Sequence, residues 1–186
     1  MSNNRIDTKE AGKALVGALA SNTVLKELDL SNNCIWDNSD GPGFAKELAV
    51  GLSENGALET LNISNNDIFR STQSDEAPSA AAKALAHALG RNRSITDLNI
   101  ASNWIKTQHI KIIAPAISIN RTLTSLNLSS NRLGTEGVKY VTEVVKENVS
   151  VRRFDLHHFD LWFDCCCLCI FSYYNIITRS RGRGCM

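Results

Sequence analysis

An eleven-residue pattern recurs four times along the chain, and this repetition constrains the fold more than any other feature. Apolar residues occupy positions one, four, six and eleven, and asparagine occupies position nine, in copies that start at Leu25, Leu58, Ile95 and Leu123. A degenerate fifth copy starts at Val151, so successive starts lie 33, 37, 28 and 28 residues apart. Polar insertions at 37–43 and 70–78 account for the two long spacings. The underlying period is therefore near 28 residues, which is typical of a repeat architecture.

Each copy predicts a short strand, and each intervening segment predicts a helix. Positions four and six are two residues apart, which places both side chains on one face of a strand. Between copies the apolar residues follow helical spacing, as in Ala84, Leu85, Ala88 and Leu89. One such unit cannot bury its own apolar face, so neighbouring units must stack. The sequence therefore predicts an α/β solenoid over residues 1–161, with a parallel sheet on the concave side and helices on the convex side.

Two sets of recurring asparagines accompany the repeats. The first set follows the strands, where we predict a structural ladder whose amides satisfy backbone groups as the chain leaves the sheet: Asn33, Asn66, Asn103 and Asn131. The second set stands three residues before each copy: Asn22, Asn55, Asn92, Asn120 and Asn148. Because asparagine tolerates the left-handed conformation, we predict that this second set ends each helix in that conformation.

The pattern Leu-x-x-Leu-x-Leu-x-x-Asn-x-Ile/Leu, with helical returns, resembles the ribonuclease-inhibitor type of leucine-rich repeat over about residues 2–161. Similar repeats occur in the sensor regions of NOD-like receptors and in Ran GTPase-activating proteins. The resemblance implies the fold sharply and the function only broadly, as a surface that holds other proteins. The chain departs from the family at both ends. Residues 2–6 match only the second half of a unit, and Phe159 replaces the fifth ladder asparagine. We therefore expect a fragment or an imperfect gene model.

Alternate residues of each strand point away from the core and form the predicted binding surface. With two tryptophans that follow strands along one rim, the partner-binding candidates are Glu27, Asp29, Thr60, Asn62, Asp97, Asn99, Ser125, Asn127, Arg153, Asp155, Trp36 and Trp104. Tryptophan is enriched among residues that dominate binding energy. The alternatives are a solvated sheet face and tryptophans that pack over a neighbouring turn.

Catalytic motifs are missing from the sequence. It contains neither a glycine-rich phosphate loop nor a nucleophile in a recognisable motif. His157 and His158 are adjacent in a strand and point to opposite faces, while His87 and His109 lie on predicted helices without partners. We therefore predict a protein that is not an enzyme and has no cofactor or metal. The chief alternative is a Ran-type GTPase activator with a small GTPase as partner, although that family carries an acidic tail and this chain ends in basic residues.

Charge and cysteine content narrow the partners and the compartment. The chain has 20 basic and 19 acidic residues, which argues against nucleic-acid binding because that function needs a dense cationic face. The sequence shows no secretory signal, and its cysteines are too closely clustered to link distant segments. We predict a cytoplasmic protein that binds another protein.

Residues 162–186 differ in character from the repeats and form a separate tail. The tail is apolar and aromatic at first and basic later, and it contains the clustered cysteines Cys165, Cys166, Cys167 and Cys169. Cysteines beside basic residues are candidate lipidation sites that would bring the tail to a membrane. The other interpretations are a cap over the last repeat and translated non-coding sequence, and we favour the last.

Overall fold

Five strands alternate with five helices in the computed structural model, which describes residues 1–4, 6, 9–33, 35, 43–70 and 80–157, without the side chains at 9 and 43–45. In chain order the elements are α1 (Lys9–Ser21), β1 (Glu27–Asp29), α2 (Gly43–Glu54), β2 (Thr60–Asn62), α3 (Ala80–Arg91), β3 (Asp97–Asn99), α4 (Thr107–Ile119), β4 (Ser125–Asn127), α5 (Gly134–Glu147) and β5 (Arg153–Asp155). Each strand coincides with pattern positions three to five of its repeat.

The strands form one parallel sheet in the order β1-β2-β3-β4-β5. Their register is uniform, with Leu28 beside Leu61, Leu61 beside Leu98, and Leu98 beside Leu126. The unequal repeat lengths do not disturb this register, because the extra residues fall between a strand and the next helix. The predicted fold class, an α/β solenoid of stacked strand–helix units, is confirmed.

The core lies between the sheet and the row of helices. Pattern positions four and six are buried in all five repeats: Leu28, Leu30, Leu61, Ile63, Leu98, Ile100, Leu126, Leu128, Phe154 and Leu156. Complete burial of one such aliphatic side chain stabilises the fold by about 1.5–3 kcal/mol. Consecutive helices pack against one another from α1 to α5. Stacking of repeats therefore supplies the apolar burial that one repeat cannot supply alone.

The first asparagine set links adjacent repeats along the edge where the strands end. Asn66 Oδ1 accepts the Asn33 N–H at 2.7 Å, and Asn66 Nδ2 donates to the Leu30 carbonyl at 2.8 Å. Asn103 and Asn131 repeat this arrangement, since Asn103 Oδ1 accepts the Asn66 N–H and Asn131 Oδ1 accepts the Asn103 N–H. All four side chains are buried, and each Nδ2 donates to backbone carbonyls that the turn would otherwise leave unpaired.

The partial first unit joins the same ladder. The Asn4 N–H donates to Asn33 Oδ1 at 2.7 Å, as the Asn33 N–H does to Asn66 in the next repeat. Asn3 has the same left-handed backbone as Asn32 and Asn65, with φ near +55° to +60°. Residues 2–4 therefore adopt the turn conformation of a complete repeat.

The predicted left-handed conformation of the second asparagine set is wrong. Asn120 and Asn148 have extended backbones, with φ values of −68° and −77°. The side chain satisfies the helix end instead. Asn120 Oδ1 accepts the N–H groups of Thr122 and Leu123 at 2.9 and 2.8 Å, and Asn120 Nδ2 donates to the Leu89 carbonyl of the preceding helix at 2.8 Å.

The same contacts recur at the equivalent asparagines. Asn55, Asn92 and Asn148 each accept two backbone N–H groups and donate to carbonyls of the preceding repeat. A second ladder of asparagines therefore runs along the edge where the helices end. The repeats are tied together along both edges of the sheet.

Several sequence predictions fall outside the described residues. They concern Trp36, the loss of the ladder asparagine at Phe159, the boundary between 1–161 and 162–186, and the candidate lipidation sites Cys165, Cys166, Cys167 and Cys169.

Candidate protein-binding surface

The outward residues of the sheet lie side by side in two columns. The first column, at pattern position three, contains Glu27, Thr60, Asp97, Ser125 and Arg153. The second column, at position five, contains Asp29, Asn62, Asn99, Asn127 and Asp155. All ten side chains are exposed or half-buried. The structure brings together every predicted candidate on the strands, because a uniform parallel register aligns equivalent positions.

The second column also shapes the backbone, a role that the sequence analysis missed. Asn62 Oδ1 accepts the Ser64 N–H at 3.1 Å, and Asn127 Oδ1 accepts the Ser129 N–H at 2.9 Å. Asp29, Asn99 and Asp155 accept the N–H two residues further on in the same way. These are Asx turns, in which a short side chain caps the end of its own strand. The repeated Asp or Asn at position five was the available sequence signal.

The charge of Asp29 is stabilised by this turn. Hydrogen bonds from the Ser31 hydroxyl and the Ser31 N–H hold the pKa of Asp29 below its usual value, and the Asn62 amide and the N-terminal ammonium act in the same direction. Partial burial opposes them. Asp29 therefore presents a stable negative charge at the first strand of the sheet.

The first column has fewer contacts within the chain. In the described structure the side-chain hydrogen bonds of this column are confined to Asp97, whose Oδ2 accepts the Thr96 hydroxyl at 2.8 Å. The two columns line a concavity of about 340 Å³ across β2 to β5. This surface is polar, and it carries carboxylates at both ends and Arg153 beside Asp155. The side chains of the first column therefore form fewer hydrogen bonds within the described structure than those of the second column do.

Trp104 lies on the rim, and its indole contacts neighbouring turns. The indole N–H donates to Asp67 Oδ1 at 2.7 Å, and the Arg132 guanidinium lies 3.6 Å from the ring centroid. The ring is half-buried and packs against the core. The structure therefore supports the interpretation that this tryptophan packs over its neighbour's turn, and it adds two charged residues, Asp67 and Arg132, that the sequence analysis did not select. All three occupy pattern position ten, which is the signal that would have grouped them.

The expectation that His109 has no partner is wrong. Its side chain is buried, Nδ1 accepts the Lys106 N–H at 3.1 Å, and the ring packs against Phe69 with 5.1 Å between centroids. His109 thus caps the first turn of α4 and packs beside Phe69. The imidazole occupies a helix-capping position, which accounts for its place in the core.

Across the described ranges, no group of three or more His, Cys, Asp or Glu side chains is placed to hold a metal ion. None of the helices in that part of the chain has the length and apolar character needed to cross a membrane.

Comparison with known proteins agrees with this geometry. A family model described as a leucine-rich repeat matches residues 21–38 and 120–141, which cover the first and fourth copies of the pattern. The fold is a leucine-rich-repeat solenoid. Among curated proteins, no sequence matches the chain.

Two solved structures with a similar fold are domains of leiomodin-1 and of a tropomodulin. The leiomodin-1 actin-binding site 2 is 20% identical, with a TM-score of 0.59, and the match covers 77% of each chain. The tropomodulin C-terminal domain of Caenorhabditis elegans is 16% identical, with a TM-score of 0.61, and the match covers 79% of this chain and 83% of that domain. At these identities the similarity establishes the leucine-rich-repeat fold alone.

Proposed function

We propose that this leucine-rich-repeat domain binds a protein partner across the concave face of its sheet. The proposal rests on the first column, from Glu27 to Arg153. The parallel register aligns its side chains, and few of them form hydrogen bonds within the described structure. Because the sheet already holds the backbone of this face fixed, less conformational entropy is lost when a partner binds. The same face is polar, as the surfaces of non-obligate interfaces commonly are.

The proposal also covers enzymatic activity, repeat type, cellular location and cofactor need. The domain is a non-enzymatic scaffold of the ribonuclease-inhibitor type, located in the cytoplasm, and it needs no cofactor. Two observations support the ribonuclease-inhibitor type. A helix connects each strand to the next, and the underlying repeat period is 28 residues. A Ran-type GTPase activator is the alternative. It predicts faster GTP hydrolysis by a small GTPase when the domain is added, whereas the scaffold predicts an unchanged rate.

Actin is the first partner to test, because the leiomodin-1 structure of similar fold is named for actin binding. Co-sedimentation with filaments and analytical ultracentrifugation with monomers would measure the two forms of actin separately. If neither form binds, cross-linking in a cell extract followed by mass spectrometry would supply another candidate partner, which is then purified and titrated.

The test of the surface uses one charge reversal on each side of the solenoid. Asp97→Lys changes the first column, and Glu143→Lys makes the same charge change on the exposed face of α5. We expect Asp97→Lys to weaken binding of the purified partner by about tenfold or more, and Glu143→Lys to leave it unchanged. Weaker binding with Glu143→Lys alone would place the partner on the convex side and refute the proposal.

A further inference from the structure

Three charged residues surround the rim tryptophan, and together with it they form what we call the Trp104 cluster: Asp67, Arg70, Trp104 and Arg132. Asp67 accepts the indole N–H through Oδ1 and pairs with Arg70 through Oδ2 at 3.1 Å. Arg132 stacks on the ring at 3.6 Å, and the Arg70 guanidinium lies 5.2 Å from the same ring centroid. The indole is therefore held by one carboxylate and faces two guanidinium groups.

The backbone beneath the cluster is in an unusual conformation. Asp67 and Trp104 both have positive φ, at 55° and 63°, which residues with a Cβ atom rarely adopt. Each directly follows a residue of the first asparagine ladder, whose hydrogen bonds fix the turn. This conformation aims Asp67 at the Trp104 indole of the next repeat. Unfavourable backbone of this kind concentrates at ligand-binding sites.

Arg132 is oriented, but its hydrogen-bonding capacity is not used within the described part of the chain. No carboxylate there lies within ion-pair distance of its guanidinium, and no hydrogen bond from it is formed. Stacking against an aromatic ring fixes the plane of a guanidinium and leaves the N–H groups at its edge open to a ligand. Beside it lies a concavity of about 330 Å³ lined by Asn65, Asp67, Ser102, Trp104, Ser130, Asn131 and Arg132.

The charges at this rim favour a singly charged anion. Within the described residues Asp67 pairs with Arg70, which leaves the charge of the Arg132 guanidinium to attract one further negative charge. The planar fork of an arginine matches the two oxygens of a carboxylate. Asp67 lies within the cluster and would repel a doubly charged phosphate more strongly than a carboxylate.

We propose that the Trp104 cluster binds a glutamate or aspartate side chain from an acidic segment of the partner, with Arg132 as the principal donor. This inference rests on the proposed function, since it names the chemistry that the partner brings to the rim. The carboxylates on the sheet face, Asp29 and Asp97 among them, repel the same segment. The contrast in charge would direct the acidic segment to the rim and a basic or neutral segment to the sheet.

The experiment titrates the full chain with a hexaglutamate peptide of blocked termini and follows the tryptophan indole N–H signals by NMR. The signal that disappears in Trp104→Phe identifies Trp104. We expect this signal to shift saturably with hexaglutamate and not with hexaglutamine. Arg132→Gln should weaken binding by about tenfold or more, because a charged hydrogen-bonded pair is lost. Arg132→Lys keeps the charge without the planar fork, so its affinity for hexaglutamate should lie between those of the parent and Arg132→Gln.

Arg121→Gln is the matched control, because it removes the same charge from an exposed arginine at the opposite end of β4. Equal weakening by Arg121→Gln and Arg132→Gln would show attraction by overall charge and would overturn the proposal. Tighter binding of a phosphoserine peptide than of hexaglutamate would overturn the carboxylate assignment. An unshifted Trp104 signal in peptide-free Arg132→Gln would also overturn it, because the stacking on the ring would then be absent.

The two proposals fail separately. If Arg132→Gln leaves peptide binding unchanged while Asp97→Lys still weakens the partner, the sheet-face function stands and the rim inference falls. If the peptide needs Arg132 while Asp97→Lys has no effect on the partner, the rim is the binding site and the sheet-face proposal falls.

Discussion

At the scale of single residues, buried asparagines hold the repeats together. Asn66 accepts an N–H from the preceding repeat and donates to carbonyls in its own repeat and in the preceding one. A hydrophobic residue of similar size would fill the same space and leave those backbone groups unpaired. Unpaired buried backbone groups cost more free energy than the net gain from an average hydrogen bond.

We therefore expect Asn66→Ala to lower the free energy of unfolding by about 1–3 kcal/mol. Chemical denaturation with a circular-dichroism readout would measure the change. Asn65→Gly is the control, because Asn65 is exposed and its positive φ suits glycine. An unchanged midpoint for Asn66→Ala would show that the ladder is dispensable.

The second asparagine set allows a test between two mechanisms of helix termination. Glycine would serve a left-handed helix end as well as asparagine does, but Asn120 has a φ of −68° and uses its side chain. Asn120→Gly should therefore destabilise the domain by about 1–3 kcal/mol. Ser130→Gly, at a position that does have positive φ, should be neutral or stabilising in the same denaturation experiment. Similar effects of the two glycines would contradict the side-chain mechanism.

At the scale of elements, the strand ends depend on Asx turns that tolerate either an acid or its amide. Asp29 and Asn62 form the same turn, with Ser31 and Ser64 as donors at 2.8 and 3.1 Å. Asp29→Asn should therefore preserve the fold at neutral pH. The exchange removes a titrating group whose protonated form is the poorer acceptor.

Acidification should separate Asp29→Asn from the parent. Because the folded pKa of Asp29 is lowered, its carboxylate contributes stability above its unfolded pKa of about 3.9, and that contribution is lost as the pH falls through the folded value. Between about pH 6 and about pH 3 the parent should lose more stability than Asp29→Asn. Urea midpoints at the two pH values would measure the difference, and parallel losses would refute the role of the Ser31 hydrogen bonds.

The sequence predicted the elements and their alignment because these follow from spacing. Apolar residues two apart specify which side of a strand faces the core, so the columns from Glu27 to Arg153 could be assigned before the structure was known. The contact between Trp104 and Arg132 could not be predicted, since it depends on side-chain rotamers in two different repeats. The extended backbone of Asn120 was missed for a similar reason. Asparagine suits both a left-handed end and a side-chain cap, and the sequence does not distinguish them.

At the scale of the whole molecule, stability comes from contacts between neighbouring repeats. Both asparagine ladders and the stacked helices join one repeat to the next, and among the described helices and strands no contact spans distant repeats. Residues 162–186 do not continue the pattern, so we expect them to add little to this arrangement. A long apolar stretch of sequence such as 162–177 should instead promote association if it is accessible.

Deletion of residues 162–186 should therefore leave the circular-dichroism signal per residue nearly unchanged and increase the soluble concentration. Sedimentation velocity before and after truncation would report association directly. If the shortened chain lost cooperative unfolding or precipitated sooner than the parent, residues 162–186 would act as a cap over the last repeat.

The placement of the extra residues has a consequence for how such a chain can diversify. Repeats 33 and 37 residues long align with repeats of 28 because the additional residues, 37–43 and 70–78, stand in the sequence between a ladder asparagine and the body of the next helix. In these repeats, length varies between the strand and the next helix without a shift in the register of the strands. Segments of new length and composition can accumulate at this point of the sequence while every strand keeps its neighbours. The architecture thus separates the parts of a repeat that must stay constant from the part that is open to evolutionary change.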